Sequence, residues 1–401
     1  MGKVVGLRFV TFATAVAVAA FIVAVAPGSS GRVPDWAAPQ IATVVSHGLM
    51  GASSTHTFRP NAVLTRQTLS DLAFELQQQL ASPPPPPPPP TTTGETTTSD
   101  DPGTTTVDTT TDTTTTTTTT TTTPTTTATP PPVQNGSSPV TMAGLDTKLV
   151  NSLGLLHAAK EFNQGARAAG AGIPTRFGTE AVARLLGLRI NHPTSQDFLE
   201  LRPQDTATRA ETAYSAAQIL GFGWLDDSWQ IAWAKSAADS FTLPQLNVWQ
   251  RRILTVAFSK IGMPYIWGGT SDGPEAPFGV LSRGGYDCSG FVWRVYKLQS
   301  YPGEGRLAST IEGRTTYTMS VEVPPSERIP FAKLQPADVI FFGARGPRST
   351  GAEIDHTAIY IGNGWFIQSS DEGVALAQLS GWYKREFAWG RRPLKEAGLE
   401  P

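Results

Sequence analysis

The chain of 401 residues contains one cysteine, Cys288, within the stretch "GGYDCSGFVWRVY". A lone thiol cannot form an intrachain disulfide, so it is either a small buried hydrophobe or a reactive group. Asp287 precedes it, and Ser289 and Gly290 follow. Asp287 is a candidate N-cap, which makes Cys288 the first residue of a helix. Free amide N–H groups and the positive end of the helix dipole favour a thiolate there, and bring a thiol pKa of ~8.5 down toward ~3.5–7.5. The backbone N–H of the same residue is also placed to receive a developing oxyanion.

A thiol nucleophile needs a base within reach. Between residues 244 and 395 there is one histidine, His356. It opens "HTAIYIGNGWFIQSS", two runs of β-branched and aromatic residues around Gly362-Asn363-Gly364, which predicts a hairpin. His356, Ala358 and Tyr360 share one face of the first strand. A three-residue turn sets Ala358 opposite Gln368 and makes His356 and Gln368 diagonal neighbours on that face. A two-residue turn puts them on opposite faces. A polar residue behind an imidazole fixes its ring and tautomer, as the third member of a triad does. Each residue has a purely structural alternative: a buried thiol, a strand histidine, an amide at a strand end. Their conjunction points to a cysteine hydrolase.

These side chains require a scaffold. "LNVWQRRILTVAFSKIG" and "CSGFVWRVYKL" have helical periodicity, with Phe291, Val292, Val295 and Leu298 on one face of the second. "DVIFFG" and the hairpin read as strands. Helices first and strands afterwards predict an α+β domain over residues 244–395.

The rest of the chain differs in texture. Lys3 and Arg8 precede an uncharged, largely apolar run from Phe9 to Ala26, and Ala24-Val25-Ala26 has the small-x-small form of a cleavage site. This predicts an export signal over residues 1–27, with an uncleaved membrane anchor as the alternative. Either one places the remainder outside the cytoplasm. Residues 82–140 hold Pro83 to Pro90 and a threonine tract through Thr123. So little apolar surface cannot offset the entropy of ordering, and a disordered stalk is expected. At ~3.1 Å per residue of polyproline geometry, its reach is on the order of 150 Å. Its composition also suits O-glycosylation. A net charge of −2 without a basic cluster excludes nucleic acid as a general partner. No compact His/Cys/acid cluster predicts a metal, and no cofactor is implied.

A repeat flanks the stalk. "FRPNAVLTR", from Phe58, aligns without gaps to "LRPQDTATR", from Leu201, 143 residues on. Each Arg-Pro turn leads to a threonine N-cap and a helix-like run, so two small helical modules are expected, at 33–81 and 141–243. The pattern resembles the S-layer homology module, in Asp35-Trp36-Ala37, in Phe58-Arg59-Pro60 and in Thr208-Arg209-Ala210-Glu211. The first copy departs where Gln67-Thr68 replaces Ala-Glu. Three modules are usual in that family, and two are visible. The resemblance implies wall-polysaccharide contacts at Trp36, Arg66 and Arg209; the alternative is that these arginines cap and pair within their own helices.

The C-terminal block resembles the NlpC-type cell-wall cysteine peptidases, a papain-like family. "GMPYIWGG", "YDCSGFVWRVY", "GRTTY", "PADVIFF" and "HTAIYIGNGWFIQSS" match its motifs in order over about 150 residues. The resemblance implies a helix packed on an antiparallel sheet, with Cys288 as nucleophile, His356 as base and Gln368 as third residue. It further implies Tyr265 beside the oxyanion, and Asp287 and Ser289 along the substrate groove. Ala337 stands where relatives commonly have glycine, and Pro274 to Pro277 lie in an extended loop that reshapes the mouth of the groove. The expected activity is an exported peptidoglycan hydrolase that cuts the D-glutamyl–diamino acid bond of stem peptides. The alternatives are a non-catalytic wall-binding scaffold, or an N-acetylmuramoyl-L-alanine amidase or transferase using the same triad.

Overall fold

A computed structural model describes residues 34–81 and 130–400. The expected signal segment and most of the expected stalk lie outside the described residues. Among the described residues, no helix is long and apolar enough to cross a membrane.

The N-terminal half is helical: α1 (Ala38–Ser46), α2 (Arg66–Ala81), α3 (Met142–Ser152), α4 (Leu156–Ala168), α5 (Phe177–Leu185), α6 (Arg209–Leu220) and α7 (Trp229–Asp239). Three of these helices begin alike. Thr65, Thr141 and Thr208 each turn a hydroxyl back onto the backbone N–H three residues on, at 3.2–3.3 Å. Such a bond satisfies one donor orphaned at a helix start. The residues just before these caps close a ring of backbone hydrogen bonds: Leu64 N–H to Ala207 O, Ala207 N–H to Val140 O, and Val140 N–H to Leu64 O, at 2.9–3.0 Å. The helical half therefore contains three equivalent turns where the sequence showed two. The middle turn carries Met142 where the others carry Arg66 and Arg209, which hid it. It also moves the start of the second helical region ahead of residue 141. Val140 is in the core, and Val133 N–H donates to the Gln67 side chain at 2.9 Å.

The C-terminal half starts with α8 (Val248–Ser259), capped by Asn247. A two-stranded ribbon follows, β1 (Thr270–Ser271) and β2 (Gly285–Tyr286), and then α9 (Cys288–Tyr296), α10 (Leu307–Thr310) and α11 (Thr316–Val321). The five strands β3 (Val339–Gly343), β4 (Ile354–Gly362), β5 (Trp365–Ser370), β6 (Gly373–Gln378) and β7 (Phe387–Arg391) form an antiparallel sheet in the order β6-β5-β4-β3-β7. The short helix α12 (Gly381–Glu386) precedes β7. The architecture is α+β, with α9 packed on β4 and β5.

One apolar core runs through both halves. Phe162 of α4, Phe241 and Trp365 of β5 meet with ring centroids 4.9–5.7 Å apart. Phe177 of α5 meets Phe258 of α8 at 5.0 Å. Trp365 is fully buried by this contact. The helical half is thus part of the support of the sheet.

Polar contacts reinforce the junction. Arg184 of α5, buried beside Glu180, donates to the carbonyls of Gly262 and Glu372. Gly262 has φ +83°, and a Cβ there would meet the Glu180 carboxylate at 2.3 Å, so this close approach requires glycine. Arg202, in the second Arg-Pro turn, donates to the Asp272 carbonyl at 3.2 Å.

Candidate active site

Asp287 caps α9: its Oδ1 accepts from Gly290 N–H, and Cys288 is the first helical residue. The helix buries Phe291, Val292 and Val295 and so fixes the thiol at its mouth. Cys288 Sγ lies 3.7 Å from Thr316 Oγ1. It lines a cavity of about 930 Å³ with Tyr265, Ser289, Arg314, Thr316 and His356. Strand β4 comes up against the thiol, and the backbone N–H groups of Ser289 and Thr357 are directed at the sulfur.

The expected low-pKa thiol is not what the structure holds. Burial pushes the Cys288 thiol up to about 11, and the adjacent Asp287 carboxylate acts in the same direction. The Thr316 hydroxyl and the amides of Ser289 and Thr357 oppose this without cancelling it. The helix start supplies donors, as expected, but desolvation outweighs them. Burial likewise lowers the His356 pKa, partly offset by its bond to Gln368. At neutral pH the resting pair is therefore neutral imidazole and thiol.

The hairpin solves the register problem in its own way. Its tip is two residues, Asn363 and Gly364, at φ +48° and +80°, the left-handed pair that matches strand twist. The pairs Ile359–Ile367 and Tyr360–Phe366 are followed by a register shift before Gly362–Trp365. This bulge takes up one residue, and Ala358 faces Gln368 as a three-residue turn would have it. His356 Nε2 and Gln368 Oε1 are 2.7 Å apart. Gln368 Nε2 donates to Tyr383 Oη at 2.7 Å, and in this arrangement the amide oxygen faces the imidazole. The ring must then carry its proton on Nε2, leaving Nδ1 free to accept one. Phe342 stacks on His356 at 5.5 Å, and Tyr383 packs edge-on against Phe366 at 4.9 Å.

Tyr265 lines this cavity and an adjoining one bounded by Ser369, Asp371, Glu372 and Trp382. Its phenol is held protonated far into the alkaline range, first by burial and then by the proximity of Cys288. Asp287 and Ser289 lie along the cavity, but their polar atoms already have partners. Asp287 accepts from Gly268 N–H at 2.9 Å and pairs with Arg314 at 3.1 Å, and Arg314 also donates to Ser289 Oγ at 2.7 Å. Arg314 further donates to Gly268 O at 2.9 Å, tying the "YIWGG" loop to the start of α9. Sequence reasoning gave no role to Arg314, Thr316 or Tyr383. "GRTTY" was visible as a motif, but nothing local announced that its arginine meets Asp287. Among the described residues no group of three or more His, Cys, Asp or Glu side chains is placed to hold a metal ion.

The three residues expected to touch wall polymer diverge. Arg209 donates to Phe58 O and Met50 O at 2.8 Å and lies over the Phe58 ring, so it locks one turn onto another. Trp36 is half-buried, edge-on to His192 at 4.6 Å. Arg66 lines a cleft of about 350 Å³ with Leu69, Val140, Gly144 and Lys148, between the first and middle turns.

A sequence model of the NlpC/P60 family matches residues 262–392, and one of the S-layer homology domain matches residues 31–69. Murein DD-endopeptidase MepH of Escherichia coli is 34% identical over 136 residues, 33% of this chain and 42% of that protein. Peptidoglycan endopeptidase RipA of Mycobacterium tuberculosis is 31% identical over 129 residues, 31% of this chain and 23% of that protein. Peptidoglycan endopeptidase RipB of the same organism is 31% identical over 207 residues, 49% of this chain and 72% of that protein. The chain thus spans less than half the length of MepH and RipA. The solved structure of RipB aligns with TM-score 0.28 and 23% identity over 36% of this chain and 64% of that one.

Proposed function

This chain belongs to the NlpC/P60 family, and on that premise we propose that it is a peptidoglycan hydrolase acting as a cysteine endopeptidase. One observation carries the reading: a single thiol at a helix start shares a cavity with an imidazole whose far nitrogen is bonded to an amide oxygen. His356 Nδ1 takes the Sγ proton as the sulfur attacks a peptide carbonyl. The Cys288 backbone N–H and the Tyr265 hydroxyl receive the oxyanion. The imidazolium protonates the leaving amine, and a water deprotonated by His356 resolves the thioester. Because the resting pair is neutral, proton transfer accompanies attack.

The bond we assign is that between D-glutamate and the diamino acid of stem peptides. The cleft between the first and middle turns, with Arg66 and Lys148, supports a second role in holding an anionic wall polymer. In this reading the protein works outside the cytoplasm, at the wall. Mass spectrometry of purified walls incubated with the full chain tests it. New fragments ending at D-glutamate are expected, and none from Cys288→Ala. Release of whole stem peptides would favour the amidase. Walls left intact by the wild type would favour a non-catalytic scaffold.

A further inference from the structure

Three aromatic rings stand largely in solvent at the mouth of the catalytic cavity. Trp267, Phe278 and Tyr317 are 54%, 66% and 53% exposed. All three line the cavity that holds Cys288. They come from separate segments: the "YIWGG" loop, the extended loop between β1 and β2, and α11. Exposed rings converging on one opening are a costly arrangement unless a partner covers them.

The extended loop is built to hold its ring in place. Glu275 accepts from Thr270 N–H and Ser271 N–H at 2.7 and 3.0 Å, and Ser282 N–H donates to Glu275 O at 2.8 Å. Phe278 lies against Gly268, at φ +79°, where a Cβ would meet the ring at 2.6 Å. Only glycine lets the ring close on that backbone. Farther in, the wall of the cavity is polar and self-paired, through Asp287, Ser289 and Arg314.

We propose that Trp267, Phe278 and Tyr317 form a subsite for the sugar rings of the glycan strand that carries the stem peptide. The inference rests on the hydrolase reading above. A stem peptide of alanine, glutamate and a diamino acid offers methyl groups and charges, none broad enough to cover an aromatic face. A pyranose ring presents an apolar face of C–H groups and polar edges, the shape such a face buries. The subsite adjoins the cavity directly, so one substrate can occupy both. The enzyme then selects stem peptides still attached to sugar over free ones.

The test compares kcat/KM for a disaccharide-tetrapeptide with that for the same tetrapeptide without sugar, using the full chain. The wild type should prefer the sugar-bearing substrate. Phe278→Ala should lower that preference by about fivefold to tenfold, and Phe278→Tyr should keep it. No preference in the wild type, or one unchanged in Phe278→Ala, overturns the subsite while leaving the hydrolase reading intact. Cleavage of neither substrate by the wild type overturns the hydrolase reading and the subsite with it.

Discussion

His356 Nε2 meets Gln368 Oε1 at 2.7 Å across a hairpin whose tip has two residues, and a bulge in β4 puts both on one face. The amide nitrogen reaches Tyr383 Oη at 2.7 Å on its other side. In the proposed mechanism Gln368 serves as an orienting group that carries no charge.

Its removal should affect proton transfer more than docking. Gln368→Ala should lower kcat by about tenfold to a hundredfold with little change in KM. Gln368→His keeps a polar ring partner and should retain most activity. Gln368→Glu places a carboxylate beside the imidazole, favours its charged form and should move the acid limb of the pH profile upward. Tyr383→Phe should cost less than Gln368→Ala. Steady-state kinetics on a stem-peptide substrate separate these outcomes. A wild-type rate in Gln368→Ala would leave Gln368 as a strand residue only.

The pH profile has a defined shape. In the proposed mechanism His356 acts as base when neutral, and burial lowers its pKa below the ordinary 6.5. The acid limb of kcat/KM should therefore fall below pH 6.5. The free thiol, pushed up to about 11, should be alkylated slowly by iodoacetamide at neutral pH, with the rate still rising above pH 9. Rapid alkylation at pH 6 would mean that a thiolate–imidazolium pair already exists.

The helical half and the sheet share one core, so they should unfold together. Calorimetry of the full chain should give a single cooperative transition. Arg184→Ala leaves Glu180 buried without its cation and should destabilise by about 3 kcal/mol in urea. Two separate transitions would show that the halves are thermodynamically independent.

Ala337 sits at φ +71°, where an L side chain is strained, and its backbone N–H and carbonyl are held by Tyr360 and Tyr296. Ala337→Gly should raise stability by about 1 kcal/mol, because relief of strain exceeds the added flexibility of the unfolded chain. The measurement is the shift in urea midpoint at constant slope.

Much of the site was legible because its signals are local. A thiol after an N-cap, a histidine in a strand and a glutamine twelve residues on can be read from residue order, whereas the bulge that puts His356 and Gln368 on one face of a hairpin with a two-residue tip cannot. Two of the three helical turns were visible because each repeats Arg-Pro and Thr-Arg. Tertiary structure decided what depends on contacts between distant segments. Only the ring of backbone bonds shows that Val140 is the equal of Leu64 and Ala207. Only packing shows that the Arg209 guanidinium is taken up by backbone carbonyls about 150 residues away, whereas Arg66 faces a cleft. The ionisation of Cys288 belongs to the same class. The helix start that favours a thiolate is written in three consecutive residues, but the desolvation that overrides it comes from β4 and α11 closing over the sulfur, and no local pattern encodes how much water that closure removes.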